Sequence, residues 1–152
     1  MPMTNPYPTH ISDHCEWINA ETYSNDQPVM LRIRPDLKKF EGKNAFPEKL
    51  VFTWEFGDTK EFAGLPSDEQ YDQMRPFEDA LVAALEGGRS AIFAYAHTGH
   101  GICELHFYIT SVDEIKPDLD PLLNHFPGLP LKIESYGDVE WLQYMSLVQR
   151  LQ

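Results

Sequence analysis

Basic residues are scarce in this chain: 12 Lys plus Arg stand against 24 Asp plus Glu in 152 residues, a formal charge of −12. Such a field repels a phosphate backbone and cannot supply the counterion release that drives nucleic-acid binding, so DNA, RNA and anionic membrane surfaces are disfavoured as direct partners. Cysteine is nearly absent. Cys15 and Cys103 are the only two, far apart in sequence, which suits free thiols in a reducing compartment better than a disulfide framework. No apolar run approaches the ~20 residues that a spanning helix needs, and Met1–His10 has neither the basic nor the apolar stretch of a secretory leader. The expected location is therefore the cytoplasm. Also missing are a phosphate-cradling glycine loop, a nucleophile elbow and a Cys-His signature, with Gly99 and Gly101 reading as turn glycines. The sequence therefore predicts no catalytic residue, no metal and no cofactor.

What is present is enough apolar material for one core: 42% of the residues are hydrophobic and 12% aromatic. The expected organisation is a flexible arm over residues 1–12, carrying Pro2, Pro6 and Pro8, followed by a single domain over 13–152. Its organising stretch is Arg89–Ile109, RSAIFAYAHTGHGICELHFYI, two strands meeting at Thr98-Gly99-His100-Gly101. A two-residue Gly99-His100 loop sets Ala96 opposite Cys103, Ala94 opposite Leu105 and Ile92 opposite Phe107 on one small apolar face. The other face then carries Phe93, Tyr95 and His97 beside Glu104, His106 and Tyr108. That mixture of aromatic and ionisable groups is more than a plain core requires.

Around this hairpin the pattern reads in order. His14–Thr22 and Pro28–Arg34 form a first antiparallel pair through the turn Ser24–Gln27, and Asp36–Lys49 is a long surface loop. Leu50–Phe56 is a strand with Leu50, Phe52, Trp54 and Phe56 on one face. Ser67 and Gln70 make a capping box for a helix with the stripe Tyr71, Met74, Phe77, Leu81 and Leu85, interrupted by Pro76 and stopped at Gly87-Gly88. Ser111 and Glu114 start a second helix through Phe126, Leu129–Ser135 is a strand, and Asp138 caps a terminal helix. From Leu50 to Ser135 the order is strand, helix, strand, strand, helix, strand, the split βαβ pattern of an α+β ferredoxin-like sheet. The N-terminal hairpin widens it, and the terminal helix is an appendage.

The candidate binding surface is thus Phe93, Tyr95, His97, Glu104, His106 and Tyr108. His97, His100, Cys103 and His106 have a zinc-like spacing, but alternation puts Cys103 on the opposite face from His97 and His106, so four ligands do not converge. Glu55, Glu104 and Glu134 could pair as acid and base, yet nothing places them in a deep cleft. Aromatics on an open sheet also stack RNA bases in one class of module, where basic residues accompany them; here acids do. A second reading, from a different class, is a small metal-dependent hydrolase or small-molecule-binding module using His97, Glu104 and His106.

Trp17, Tyr23, the segment GLPSDEQYDQM, the hairpin ending GHGICELHFYI and the closing DVEWLQYMSL together resemble, over nearly the whole chain, bacterial proteins of the domain-of-unknown-function family 695. That family is similar in layout to the regulator of ribonuclease activity B family of ribonuclease E inhibitors, with an Asp-x-x-Trp-x-x-Tyr element here at Asp138, Trp141 and Tyr144. Ile102 and Cys103 stand where a basic residue is expected after the turn glycine. The resemblance implies a fold and an inhibitory or adaptor role, and no catalytic residues. The leading expectation is a non-enzymatic protein-interaction domain using an acidic, aromatic-bearing sheet face. Its charge makes one consequence measurable: fluorescence anisotropy with labelled RNA or DNA should show negligible binding at physiological salt, and a salt-sensitive complex would contradict the charge argument.

Overall fold

A computed structural model describes residues 17–57 and 62–151. The strands are β1 (Ile18–Ser24), β2 (Gln27–Ile33), β3 (Glu48–Glu55), β4 (Ala91–Gly99), β5 (Ile102–Ile109) and β6 (Leu131–Gly137). The α-helices are α1 (Asp68–Gly87), α2 (Val112–His125) and α3 (Leu142–Arg150). The six strands make one antiparallel sheet in the order β1-β2-β4-β5-β3-β6. The fold is α+β, and the N-terminal hairpin widens the sheet by pairing β2 with β4. The arm expected at 1–12, the start of the strand expected from His14, and Cys15 lie outside the described residues. No described helix is long and apolar enough to cross a membrane.

Local chemistry explains the turns. Asn25 and Asp26 join β1 to β2 with φ of 51° and 63°, the left-handed pair that a two-residue hairpin demands and that Asn and Asp tolerate. The central turn sits one residue later than the sequence predicts: His100 (φ 54°) and Gly101 (φ 81°) form it, and Gly99 pairs with Ile102. Gly99 is needed for a different reason. A Cβ there would lie 3.0 Å from Val29 Cγ2 and 3.2 Å from Pro28 O on the neighbouring β2 strand.

The shift changes each partner by two positions, so Thr98 faces Cys103 and Ala96 faces Leu105. An even slip preserves the faces. The expected face of Phe93 is nevertheless wrong, because a bulge between Phe93 and Tyr95 leaves Ala94 as the extra residue. Every β4 side chain before the bulge therefore changes sides. Phe93 stacks on Phe107 at 4.8 Å between centroids, inside the core under α1 and α2, while Ala94 joins the opposite core.

That helix-side core holds Leu50, Phe52, Ala96, Cys103, Leu105 and Phe107 against Met74, Phe77, Leu81 and Leu85 of α1 and Ile115, Leu119 and Leu122 of α2. Both helices start as their caps require. Ser67 Oγ accepts the Gln70 N–H while Gln70 Oε1 accepts the Ser67 N–H, and Ser111 Oγ accepts the Glu114 N–H. α1 runs through Pro76 and α2 through Pro117 and Pro121 without ending.

The opposite face is also a core, which corrects two expectations. Residues 36–49 are not a surface loop: 3-10 turns at Pro35–Lys39 and Lys43–Ala45 bury Leu37 and Phe46. The terminal helix is not an appendage either. α3 and the residue before it lay Trp141, Tyr144, Leu147 and Val148 over Ile33, Ile92, Ala94, Tyr95 and Tyr108. Trp141 stacks on Tyr108 at 4.1 Å and donates its indole N–H to Phe46 O at 2.9 Å. If both faces are cores, Phe107→Ala and Trp141→Ala should each cost about 3–5 kcal/mol in denaturant unfolding. A loss below about 1 kcal/mol at either position would show that its face is not closely packed.

Candidate functional site

α3 covers the second face incompletely, and beside it lies a cleft of about 470 Å³ lined by Tyr95, His97, Glu104 and His106 from the sheet and by Leu142, Gln143, Ser146, Leu147 and Arg150 from α3. The sheet side is built from two cross-strand pairs. Tyr95 is opposite His106 and His97 is opposite Glu104. The Tyr95 and His106 rings stack with centroids 4.2 Å apart and an interplanar angle of 14°. Glu104 Oε1 lies 3.2 Å from His106 Nε2 and 3.9 Å from His97 Nδ1.

Burial and hydrogen bonding set the charges. The hydrogen bond from His106 holds the Glu104 carboxyl below its usual range against the opposing effect of burial, with the nearby imidazoles and Lys49 adding to it. Burial pushes His106 down to about 4, an effect only partly offset by Glu104, and lowers His97 as well. At neutral pH the floor therefore carries one carboxylate between two uncharged imidazoles. A neutral His106 bonded to Glu104 must donate from Nε2, which leaves Nδ1 as an acceptor. That Nδ1 is buried and without a hydrogen-bond partner, and so is His97 Nδ1.

Beneath the cleft sits a lysine. Lys49, 2% exposed, lies on β3 opposite Tyr108 and donates from Nζ to Tyr95 Oη at 2.5 Å and to Gln143 Oε1. Burial lowers it to about 8, and Asp138 and Glu104 counter only part of that. Asp138 links the same layer to the helix. Its Oδ2 accepts the Tyr108 hydroxyl at 2.7 Å and its Oδ1 accepts the Leu142 N–H at 2.8 Å. The expected cap of the last helix is thus present, three residues ahead of Trp141, which takes a left-handed conformation (φ 56°).

Of the six residues expected to form one surface, the structure brings together Tyr95, His97, Glu104 and His106. Phe93 belongs to the helix-side core, and Tyr108 lies fully buried beneath Trp141. Neither is available to a partner. Lys49, Gln143 and Arg150 were not anticipated; extending the alternation of the Leu50 strand by one residue would have put Lys49 on the face of Val51 and Thr53. His97, Glu104 and His106 do share one cleft. Among the described residues, however, no group of three or more His, Cys, Asp or Glu side chains is arranged to hold a metal ion.

The buried ionisable groups give a stability profile with a worked sign. Lys49 keeps a folded value near 8, below its unfolded 10.5, so above pH 8 the unfolded chain binds the extra proton and stability rises with pH. From about pH 9 the rise is offset, because burial raises the Cys103 thiol from 9.0 to about 11 and the unfolded chain releases that proton first; past pH 10 the slope reverses, because burial raises the Tyr95 and Tyr108 phenols in the same way. In Lys49→Met the rise above pH 8 should disappear in urea-unfolding series. An undiminished rise in that variant would remove Lys49 as its source.

Comparison with known proteins gives one match. No curated protein and no solved structure matches this chain. A family model described as a family of unknown function (DUF695) matches residues 16–148, a span that takes in the sheet, α1, α2 and all but the end of α3. The chain belongs to that family.

Proposed function

We propose that this protein is a cytosolic, non-enzymatic interaction domain whose cleft beside α3 receives a basic side chain of a partner protein. The observation that carries the reading is Glu104, a part-exposed carboxylate held ionised between two neutral imidazoles at the floor of the cleft. A guest ammonium or guanidinium would meet that carboxylate, and the −12 charge of the chain would speed its approach. Apolar anchorage is at hand: Leu142, which lines the cleft, is 63% exposed, and Val139, three residues earlier in the chain, is 57% exposed, surfaces that a partner could desolvate. Arg150 at the cleft wall would favour a guest that brings its own carboxylate next to the cation.

Two further considerations support an adaptor or inhibitor role. The four strands from Glu48 onward lie in the order β6-β3-β5-β4 with α1 and α2 packed on one face, which we read as a ferredoxin-like split βαβ unit. The resemblance to the regulator of ribonuclease activity B family points to a small acidic inhibitor. A small-molecule guest is the second reading, since a cleft of about 470 Å³ falls within the usual size of such sites, about 300–1,000 Å³.

Glu104→Gln tests both, because the amide oxygen can still accept from His106 while the charge is gone. In NMR titrations with short arginine- and lysine-containing peptides, the wild-type chain should show shifts centred on His97, Glu104 and Tyr95. The variant should lose about 1.5–3 kcal/mol of that affinity with its melting temperature retained. Equal binding by both forms would sink the cation reading, and shifts produced by neutral metabolites but not by the peptides would favour the second.

A further inference from the structure

Among the described residues β6 ends the sheet, pairing with β3 on one side and with no strand on the other. The register fixes which backbone groups face outward. Glu55 donates to Pro130 O at 3.1 Å and Asp138 donates to Pro47 O at 2.8 Å. Because hydrogen-bonded pairs alternate along an antiparallel ladder, they fall between these two at Thr53–Lys132, Val51–Glu134 and Lys49–Tyr136. Leu131, Ile133, Ser135 and Gly137 therefore turn their N–H and C=O groups away from β3. None of the seven β6 residues is buried, and Ile133 is 38% exposed. Ile133 shares a face with Phe52 but lies beyond the cover of α1 and α2, which corrects its expected inward placement.

We infer that this edge is an interface for a second copy of the chain, whose own β6 adds antiparallel about a two-fold axis at Ile133. Charge complementarity selects both the partner and the register. With Ile133 opposite its copy, Lys132 faces Glu134 of the second chain, and Glu134 faces Lys132 of the second chain. These fall at non-hydrogen-bonded positions, where side chains approach most closely. In the single chain Lys132 Nζ is 3.4 Å from Glu134 Oε1, so both groups already share one face within ion-pair reach. The Ile133 N–H and C=O would bond reciprocally across the axis, and the Ser135 N–H would meet Leu131 O. On the other face the two exposed Ile133 side chains would cover each other.

The neighbouring registers are worse. Moving the axis to Glu134 sets two carboxylates opposite one another, and moving it to Ser135 sets Lys132 opposite Asp138, whose carboxylate is already taken by the Tyr108 hydroxyl and the Leu142 N–H. The other sheet edge offers no comparable match, since β1 carries Glu21 and no cation. At physiological ionic strength, screening over ~8 Å weakens the general repulsion between two acidic chains more than it weakens contact pairs.

Sedimentation equilibrium at physiological ionic strength tests this. The wild-type chain should sediment at twice its 17.5 kDa mass. Lys132→Glu alone and Glu134→Lys alone should each weaken the dimer by about tenfold or more, by placing like charges opposite one another. An equimolar mixture of the two single variants should associate again, and so should the chain carrying both substitutions. Ile133→Pro should be monomeric with unchanged circular dichroism, because the lost N–H points away from β3. A wild-type chain that stays monomeric up to its solubility limit overturns the inference. So does a dimer that ignores the charge variants and Ile133→Pro, or a mixture of single variants that fails to associate.

Discussion

The carboxylate of Asp138 holds the second half of the fold together. It receives the first free N–H groups of α3 and the Tyr108 hydroxyl at once, so helix and sheet are tied at one point rather than packed by apolar contact alone. Orphan N–H groups at a helix start attract negative charge, and here that charge is fixed to the end of β6. With α3 pinned there, Trp141 lies flat on Tyr108, and Gln143 is carried to the Lys49 ammonium. The cleft exists because the helix is anchored at one end of the sheet and leaves His97 and Glu104 only partly covered.

A single residue, Ala94, decides how the two cores divide β4. Without the bulge, strict alternation would bring Phe93 up beneath α3 beside Tyr95 and leave Ile92 under α1. With it, the large ring joins Phe107 on the helix side, and Ile92, Ala94 and Tyr95 all serve the other core. The stacked pair of Tyr95 and His106 follows from the same register, as does the burial that keeps His106 uncharged.

Much of this was legible in the sequence. The capping box at Ser67, the N-cap at Ser111, the stripes of α1 and α2 apart from the exposed Tyr71, and the alternation of β3 and β5 are local signals, and the structure follows them; at Ser111 the reciprocal bond of the expected box is not formed. The four-residue site on Tyr95, His97, Glu104 and His106 was legible for the same reason, since these residues lie on the turn side of the bulge where alternation holds. What the sequence hid was tertiary. No local pattern marks Ala94 as the extra residue, because Ile92 to Ala96 is apolar throughout and fits either register. Leu37 and Phe46 sit among Lys, Asp, Glu and Gly, which reads as a solvated loop until α3 is known to lie over it. Lys49 reads as a polar residue ahead of a strand, and its burial becomes visible only once Tyr95 and Gln143 are seen to surround its ammonium.

The place of α3 in the chain has a consequence for synthesis on the ribosome. Every strand precedes it, so the sheet can pair completely while one broad apolar face still has no lid. Ile33, Ile92 and Tyr108 remain open to water until Trp141 to Val148 have cleared the exit tunnel. A nascent chain in that interval presents the kind of surface that chaperones and neighbouring chains bind. A ribosome stalled or a message truncated shortly before codon 141 would therefore yield a product with its helix-side core intact and its other face bare, a species suited to aggregation rather than one that is simply unfolded.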